Sequence, residues 1–250
     1  MKYYLKFISL PTLLAIIYML LPIASQAQMF SIEEDRPERD RGIELFTMIG
    51  LSWEVGEFSY TGNIVDESEL LNFNDSILRF RFESQGLDLS LGFGGSITGM
   101  NNTSYVNVSG RLFNNFRITR SESFMLLLPL QISSDLLQVQ RNNSNAEFQQ
   151  SSLSLGSGLS TIFKLGEKIS FNLKATPNYG FSFSQGQLFG GNLFRMDGKG
   201  FLFIDDLFGS NALSIGYHFD YRSYKIDENS NNNDYDYDYT SHSITIGYAF

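Results

Sequence analysis

The sequence predicts an all-β protein, a transmembrane antiparallel up-and-down barrel of about ten strands, and three observations carry the prediction. The last ten residues alternate, with Ile244, Ile246, Tyr248 and Phe250 on one face and Ser243, Thr245, Gly247 and Ala249 on the other. That period of two defines a strand. Ile77 to Ser84 alternates more sharply, setting Leu78, Phe80 and Phe82 against Arg79, Arg81 and Glu83. Arginine is costly against lipid, so the apolar face looks outward to the membrane and the charged face inward. Beyond the first 27 residues the longest apolar run is Phe124 to Leu130, too short for a spanning helix. A membrane crossing therefore has to be made with strands.

Composition agrees. A hydrophobic content of 42% and a mean hydropathy of −0.12 look soluble, yet a barrel places its apolar belt in every second residue and averages to such values. The 23 Phe, 13 Tyr and 22 Gly against 5 Pro favour short strands and turns over helices. With 27 acidic and 18 basic residues, the chain lacks the basic surface that nucleic acid requires. It has no cysteine, so an exported fold has to be held by packing or by the membrane rather than by disulfides. No cofactor and no structural metal is expected.

Residues 1–27 begin with Lys2 and Lys6, continue through an apolar run from Phe7 to Ile23 and end at Ser25-Gln26-Ala27. These are the parts of a secretory signal peptide cleaved after Ala27; Pro11 and Pro22 interrupt the run and disfavour a membrane anchor. Residues 28–42, dense in both charges and broken by Pro37, read as a disordered periplasmic lead-in. The barrel is then residues 43–250.

The first strand starts at Ile43, with Leu51, Trp53 and Val55 outward and Gly50, Ser52 and Glu54 inward; Trp53, near its far end, suits an interfacial aromatic girdle. A polar loop over 56–74 leads to Ile77–Ser84, and Gln85-Gly86 turns into Leu87–Gly95, where Asp88 and Ser90 face in. Ser104–Phe113 is a strand with Arg111 inward, 114–122 a longer turn, and Ser123–Ile132 a strand whose inner face, Met125, Leu127 and Pro129, is unusually apolar. Residues 133–150 read as a long polar loop. Ser151–Leu165 and Ile169–Phe183 form a hairpin about Gly166-Glu167-Lys168, with Lys174 inward. Residues 184–197 read mostly as loop, Gly198–Ile204 as the least regular strand and 205–211 as a turn. Ala212–Tyr224 places His218, Asp220 and Arg222 inward, and an Asn- and Asp-rich loop over 225–238 precedes the terminal strand. Eight or twelve strands follow if two of the weaker segments are read otherwise. An even number puts both chain ends on one side, with short turns there and long loops opposite.

A terminal strand with alternate apolar positions Ile244, Ile246 and Tyr248 and a final Phe250 resembles the C-terminal assembly signal of bacterial outer-membrane β-barrel proteins. The whole chain resembles small single-chain members of that class, including the PorT-like group. The resemblance implies residence in the outer membrane of a Gram-negative bacterium, contact with its lipid and lipopolysaccharide, delivery to the barrel-assembly machinery and a monomeric state.

About ten strands enclose a lumen that side chains mostly fill. Inward Arg79, Arg81, Glu83, Asp88, Arg111, Lys174, His218, Asp220 and Arg222 then read as an internal charge network, since charges in a narrow lumen have to be paired or hydrated. The expected role is non-enzymatic, a structural or surface barrel or a small-solute channel. Two alternatives stand beside it. A barrel hydrolase acting on lipid or peptide needs a histidine set against a hydroxyl, and only His218 and His242 exist; His218 lies near Asp220, but spacing names no serine for it. A secreted soluble ligand-binding barrel would invert the faces, burying Leu78, Phe80 and Phe82. The acidic loop offers oxygen ligands without the glycine and terminal glutamate of a helix-loop-helix calcium site, and a solvated surface is its default.

Overall fold

A computed structural model of the chain describes residues 47–63, 71–142, 144, 146–184, 191–208, 211–228 and 233–250. The leader, the lead-in and the start of the first strand lie outside these residues. Ten antiparallel strands follow one another around a ring: β1 (Met48–Tyr60), β2 (Phe73–Glu83), β3 (Leu87–Gly94), β4 (Thr103–Arg120), β5 (Phe124–Arg141), β6 in two segments (Glu147–Ser157 and Leu159–Lys164), β7 (Ile169–Ser184), β8 (Gly191–Phe208), β9 (Asn211–Lys225) and β10 (Tyr237–Ala249). Each pairs with the next, and β10 returns to β1 in an unbroken register from Met48↔Ala249 to Tyr60↔Tyr237. Among the described residues the ring has no open edge, so the backbone groups are satisfied between strands, as a bilayer demands.

The alternation written in the sequence becomes two surfaces. Ile49, Leu51, Trp53 and Val55 are about half exposed, whereas Ser52 and Glu54 between them are fully buried. Phe80 is outward and Arg79 and Arg81 are buried. Leu89, Leu112, Leu155, Ile215, Ile244 and Ile246 continue the outward apolar belt. An inverted, soluble barrel with the greasy residues inside is excluded by this arrangement. The turns at 84–86, 121–123 and 165–168 lie at the end where β1 begins and β10 ends, which is the periplasmic end by the rule that short turns face that side. Ser96–Thr98 forms one 3-10 turn in a connection at the opposite rim.

Six readings of loops and turns are corrected, the first being 56–74, of which residues 56–60 belong to β1 and 73–74 to β2. Residues 133–141 and 147–150 belong to β5 and β6, leaving only a short connection between them. Residues 191–197 belong to β8, which runs on through Asp205-Asp206 to Phe208. Residues 114–120 extend β4, with a register shift between Arg117 and Thr119. For β5 and β6 the reason is that these segments reach beyond the lipid belt, where both faces can be polar and the inward face carries the larger apolar groups. Leu137, Val139, Phe148 and Leu193 are buried inside, while Gln138 and Glu147 bond to each other outside at 2.8 Å. Cross-strand pairing decides such segments, whatever their local propensity. Lys225–Asp238 also differs, since β10 begins at Tyr237 and Asp227–Glu228 pairs with Asn233–Asp234.

The one interrupted strand has a local cause. Gly158, between the two segments of β6, lies level with Pro129 of β5, as the pairs Leu130↔Ser157 and Leu127↔Ser160 show. Pro177 of β7 lies beside it on the other flank. Neither proline can donate to a ladder, and the neighbouring backbone closes in: a Cβ added at Gly158 would lie 1.9 Å from the Ala175 carbonyl oxygen. Overpacking costs about 1–3 kcal/mol, and a clash with backbone rather than with a flexible side chain puts Gly158→Val at the upper end. The expected result is a lowered urea midpoint for the refolded variant, with Gly95→Val, where an added Cβ meets open space, as the matched control.

Candidate functional site: the filled lumen

The interior is stacked in three layers. At the periplasmic end Met48, Phe201, Phe203, Ala212 and Ala249 form one apolar cluster, and Met125, Leu127 and Ile162 another. The apolar inner face of β5 noted in the sequence therefore lines this layer. At the outer end a larger cluster holds Phe58, Phe73, Tyr105, Phe148, Tyr224, Tyr237 and Tyr239 among others. Phe58 stacks on Tyr237 with ring centroids 5.0 Å apart and meets Phe148 edge-on at 5.0 Å, geometries that aromatic pairs favour.

Between them lies the charged layer, in two networks. In the first, Arg79 grips Glu54 with two bonds, Nε to Oε2 at 2.6 Å and Nη2 to Oε1 at 2.9 Å, and the Tyr239 hydroxyl also donates to Glu54. Arg79 Nη1 donates to Asn107 Oδ1 at 2.9 Å, and Arg222 Nη2 reaches the same oxygen at 3.3 Å. Asn107 thus joins the Glu54 side of the lumen to the far wall, where Asp220 is held by Arg195 and Arg222, each at 2.7 Å. Arg195 also reaches Asp135 at 2.7 Å. Three acids meet three arginines.

The second network lies on the periplasmic side. Asp197 is bridged by Arg111 at 2.9 Å and by His218 Nε2 at 2.6 Å. Arg111 also holds Asp88 at 2.9 Å, and Lys199 holds Asp88 at 3.1 Å and Glu83 at 2.7 Å. Arg81 Nη2 closes the chain on His218 Nδ1. These contacts fix the imidazole: Nε2–H donates to the carboxylate and Nδ1 accepts from the guanidinium, which makes His218 neutral. Here three acids, Asp197, Asp88 and Glu83, are bridged by Arg111, Lys199 and His218, while Arg81 reaches only the imidazole and keeps Nε and Nη1 buried without a hydrogen-bond partner among the described residues. Bidentate and charge-assisted bonds of this kind are the strong ones, and in a buried setting they have to be complete.

Of the residues named from the sequence, Arg79 and Arg222 fall in the first network with Asp220. Arg81, Glu83, Asp88, Arg111 and His218 fall in the second. Lys174 belongs to neither. Glu54, Asp135, Arg195, Asp197 and Lys199 complete the networks and were missed; Asp135, Arg195 and Asp197 sat in segments read as loops, and Lys199 in the least regular strand. Trp53 is outward, one outward position short of Val55, the last apolar residue before Glu57. Ile244, Ile246, Tyr248 and Phe250 project outward along the β10 seam with β1. His242 is outward too, and its Nδ1 pairs with the Tyr217 hydroxyl at 2.6 Å. In the acidic loop Asp236 is committed to Lys225 at 2.7 Å and to the Ile226 amide at 3.1 Å. Among the described residues no three His, Cys, Asp or Glu side chains are grouped to hold a metal ion.

No protein-family model matches the chain, the PorT-like group included, and no curated protein does. Among solved structures, the translocator domain of the autotransporter NalP from Neisseria meningitidis is similar over 94% of this chain and 96% of its own, at 11% identity and a TM-score of 0.40. The outer membrane protease OmpT from Escherichia coli is similar over 82% and 94%, at 8% identity and a TM-score of 0.37. Ail, the attachment invasion locus protein of Yersinia pestis, is similar over 83% and 100%, at 12% identity and a TM-score of 0.25. The assignment rests on the molecule itself: with a ring closed by its own terminal strands, apolar side chains turned to the outside and ionised ones packed within, the chain is an integral β-barrel of the bacterial outer-membrane type.

Proposed function

We propose that the protein is a sealed, non-enzymatic barrel whose interior is a rigid core and whose outer rim serves as a surface module. The observation that carries this reading is the charged middle layer, in which side chains from β1, β2, β3, β4, β5, β8 and β9 meet across the lumen and are almost all buried. Aromatic packing above it and apolar packing below it support the reading of a lumen closed to solutes. Conductance of the refolded protein in a planar bilayer tests the proposal. The expected record is silent, and discrete current steps from the unmodified chain would transfer the reading to a small-solute channel.

A hydrolase finds less support. The register sets Ser243 opposite His218, but both residues are buried and both imidazole nitrogens are already engaged. A general base needs a free lone pair within reach of the nucleophile's proton. The same reading has the protein working as a monomer among outer-membrane lipid and lipopolysaccharide, inserted by the barrel-assembly machinery through β10, whose outward Ile244, Ile246, Tyr248 and Phe250 form a continuous apolar ridge. It assigns no role to nucleic acid or to a cofactor.

A further inference from the structure

Among the described residues the two lumen networks hold six acids and, with Arg81, six guanidinium or ammonium groups, although Arg81 touches no carboxylate, and Lys174 is a further buried cation outside both. Lys174 is only 7% exposed, has no carboxylate partner among the described residues, and rests with Nζ 4.0 Å from the centroid of the Phe113 ring. Its cross-strand neighbour is Lys199, which takes both nearby acids, Glu83 and Asp88, for itself. Like charges set directly opposite each other disfavour a sheet, so the pair is a local excess of positive charge with a cost that something has to offset.

Lys174 lines a cavity of about 50 Å³ at the periplasmic mouth, beside the Ser84-Gln85 turn. That volume holds roughly four water-sized groups. Its walls are divided. Phe201, Phe203, Leu127 and Ile162 are apolar, while Ser170 and Asn115 are polar, and the Ser170 hydroxyl and the Asn115 carbonyl oxygen are buried without a protein partner. Glu83 also borders the space, but its carboxylate is held by Lys199. An unmatched ammonium, a free hydroxyl donor and a greasy wall within so small a volume describe the complement of one kind of molecule. We infer that the periplasmic mouth binds a small organic monocarboxylate, its carboxylate on Lys174 and Ser170 and its short hydrocarbon part against Phe201 and Phe203. The site lies on the periplasmic side of the sealed layer, so it stands whether or not the barrel conducts.

Butyrate is a suitable probe, with butyramide and inorganic phosphate as comparisons, each titrated calorimetrically into the refolded full barrel in maltoside micelles. The expected result is saturable butyrate binding, at least tenfold weaker binding of butyramide and of phosphate, and at least tenfold weaker butyrate binding by Lys174→Gln. Because Lys174 has no carboxylate partner among the described residues, its replacement orphans no buried acid there, and folding of the variant is checked by its heat-dependent gel mobility. Lys174→Met, which keeps the aliphatic stem, is the second variant. Absence of saturable butyrate binding, equal binding of butyramide or of phosphate, or undiminished binding by a folded Lys174 variant would each overturn the assignment.

Discussion

Replacing Arg79 with leucine is expected to cost about 3–5 kcal/mol of folding stability, the range for removing one partner of a buried ion pair. Glu54 is fully buried and would lose both guanidinium bonds, keeping only the Tyr239 hydroxyl. The damage would spread, because Arg79 also supplies the donor that holds Asn107 between the two walls. Combining Arg79→Leu with Glu54→Gln removes the stranded charge, so the double variant should fall short of the summed single losses by at least about 1 kcal/mol. Urea unfolding in micelles measures this with a convenient reporter, since Trp53 is the one tryptophan of the chain and lies on the lipid face. Strict additivity would show that the two side chains act independently.

Leu51→Arg should cost about 2–4 kcal/mol, the range for arginine near the bilayer midplane on the outside of a barrel. Leu51 lies between Ile246 of β10 and Phe80 of β2, all three turned outward, so no acid is at hand to receive the new charge. Glu57→Arg, on the same face of β1 but beyond Val55, should cost about 0–1 kcal/mol, as expected near an interface. The contrast between the two positions is the measurement. Equal, small effects in both would mean that no lipid belt surrounds β1, and the membrane assignment would have to be given up.

The strands that cross the lipid were legible in the sequence because there the solvent on the two faces differs most. Leu78, Phe80 and Phe82 cannot share a side with Arg79 and Arg81 at any register, and the same logic fixed β3, β9 and β10. The contrast disappears outside the belt. Leu137, Val139 and Phe148 face inward for the reason that Leu78 faces outward, to escape water, so the period of two persists while its meaning reverses. A reading that equated polar stretches with loops therefore lost much of β5, the start of β6 and the first half of β8, and with them Asp135, Arg195 and Asp197 of the charged middle layer.

What the sequence by itself determined is the sidedness of each lipid-crossing strand and hence the membrane-embedded ring, since both follow from the cost of placing charge against hydrocarbon. Only the tertiary structure decided which charges meet. Glu54 and Tyr239 are 185 residues apart in sequence, and Lys199 and Glu83 are 116 apart. Such pairs are set by strand register and ring closure, and the two charge networks, with Lys174 outside both, exist only once ten strands share one interior.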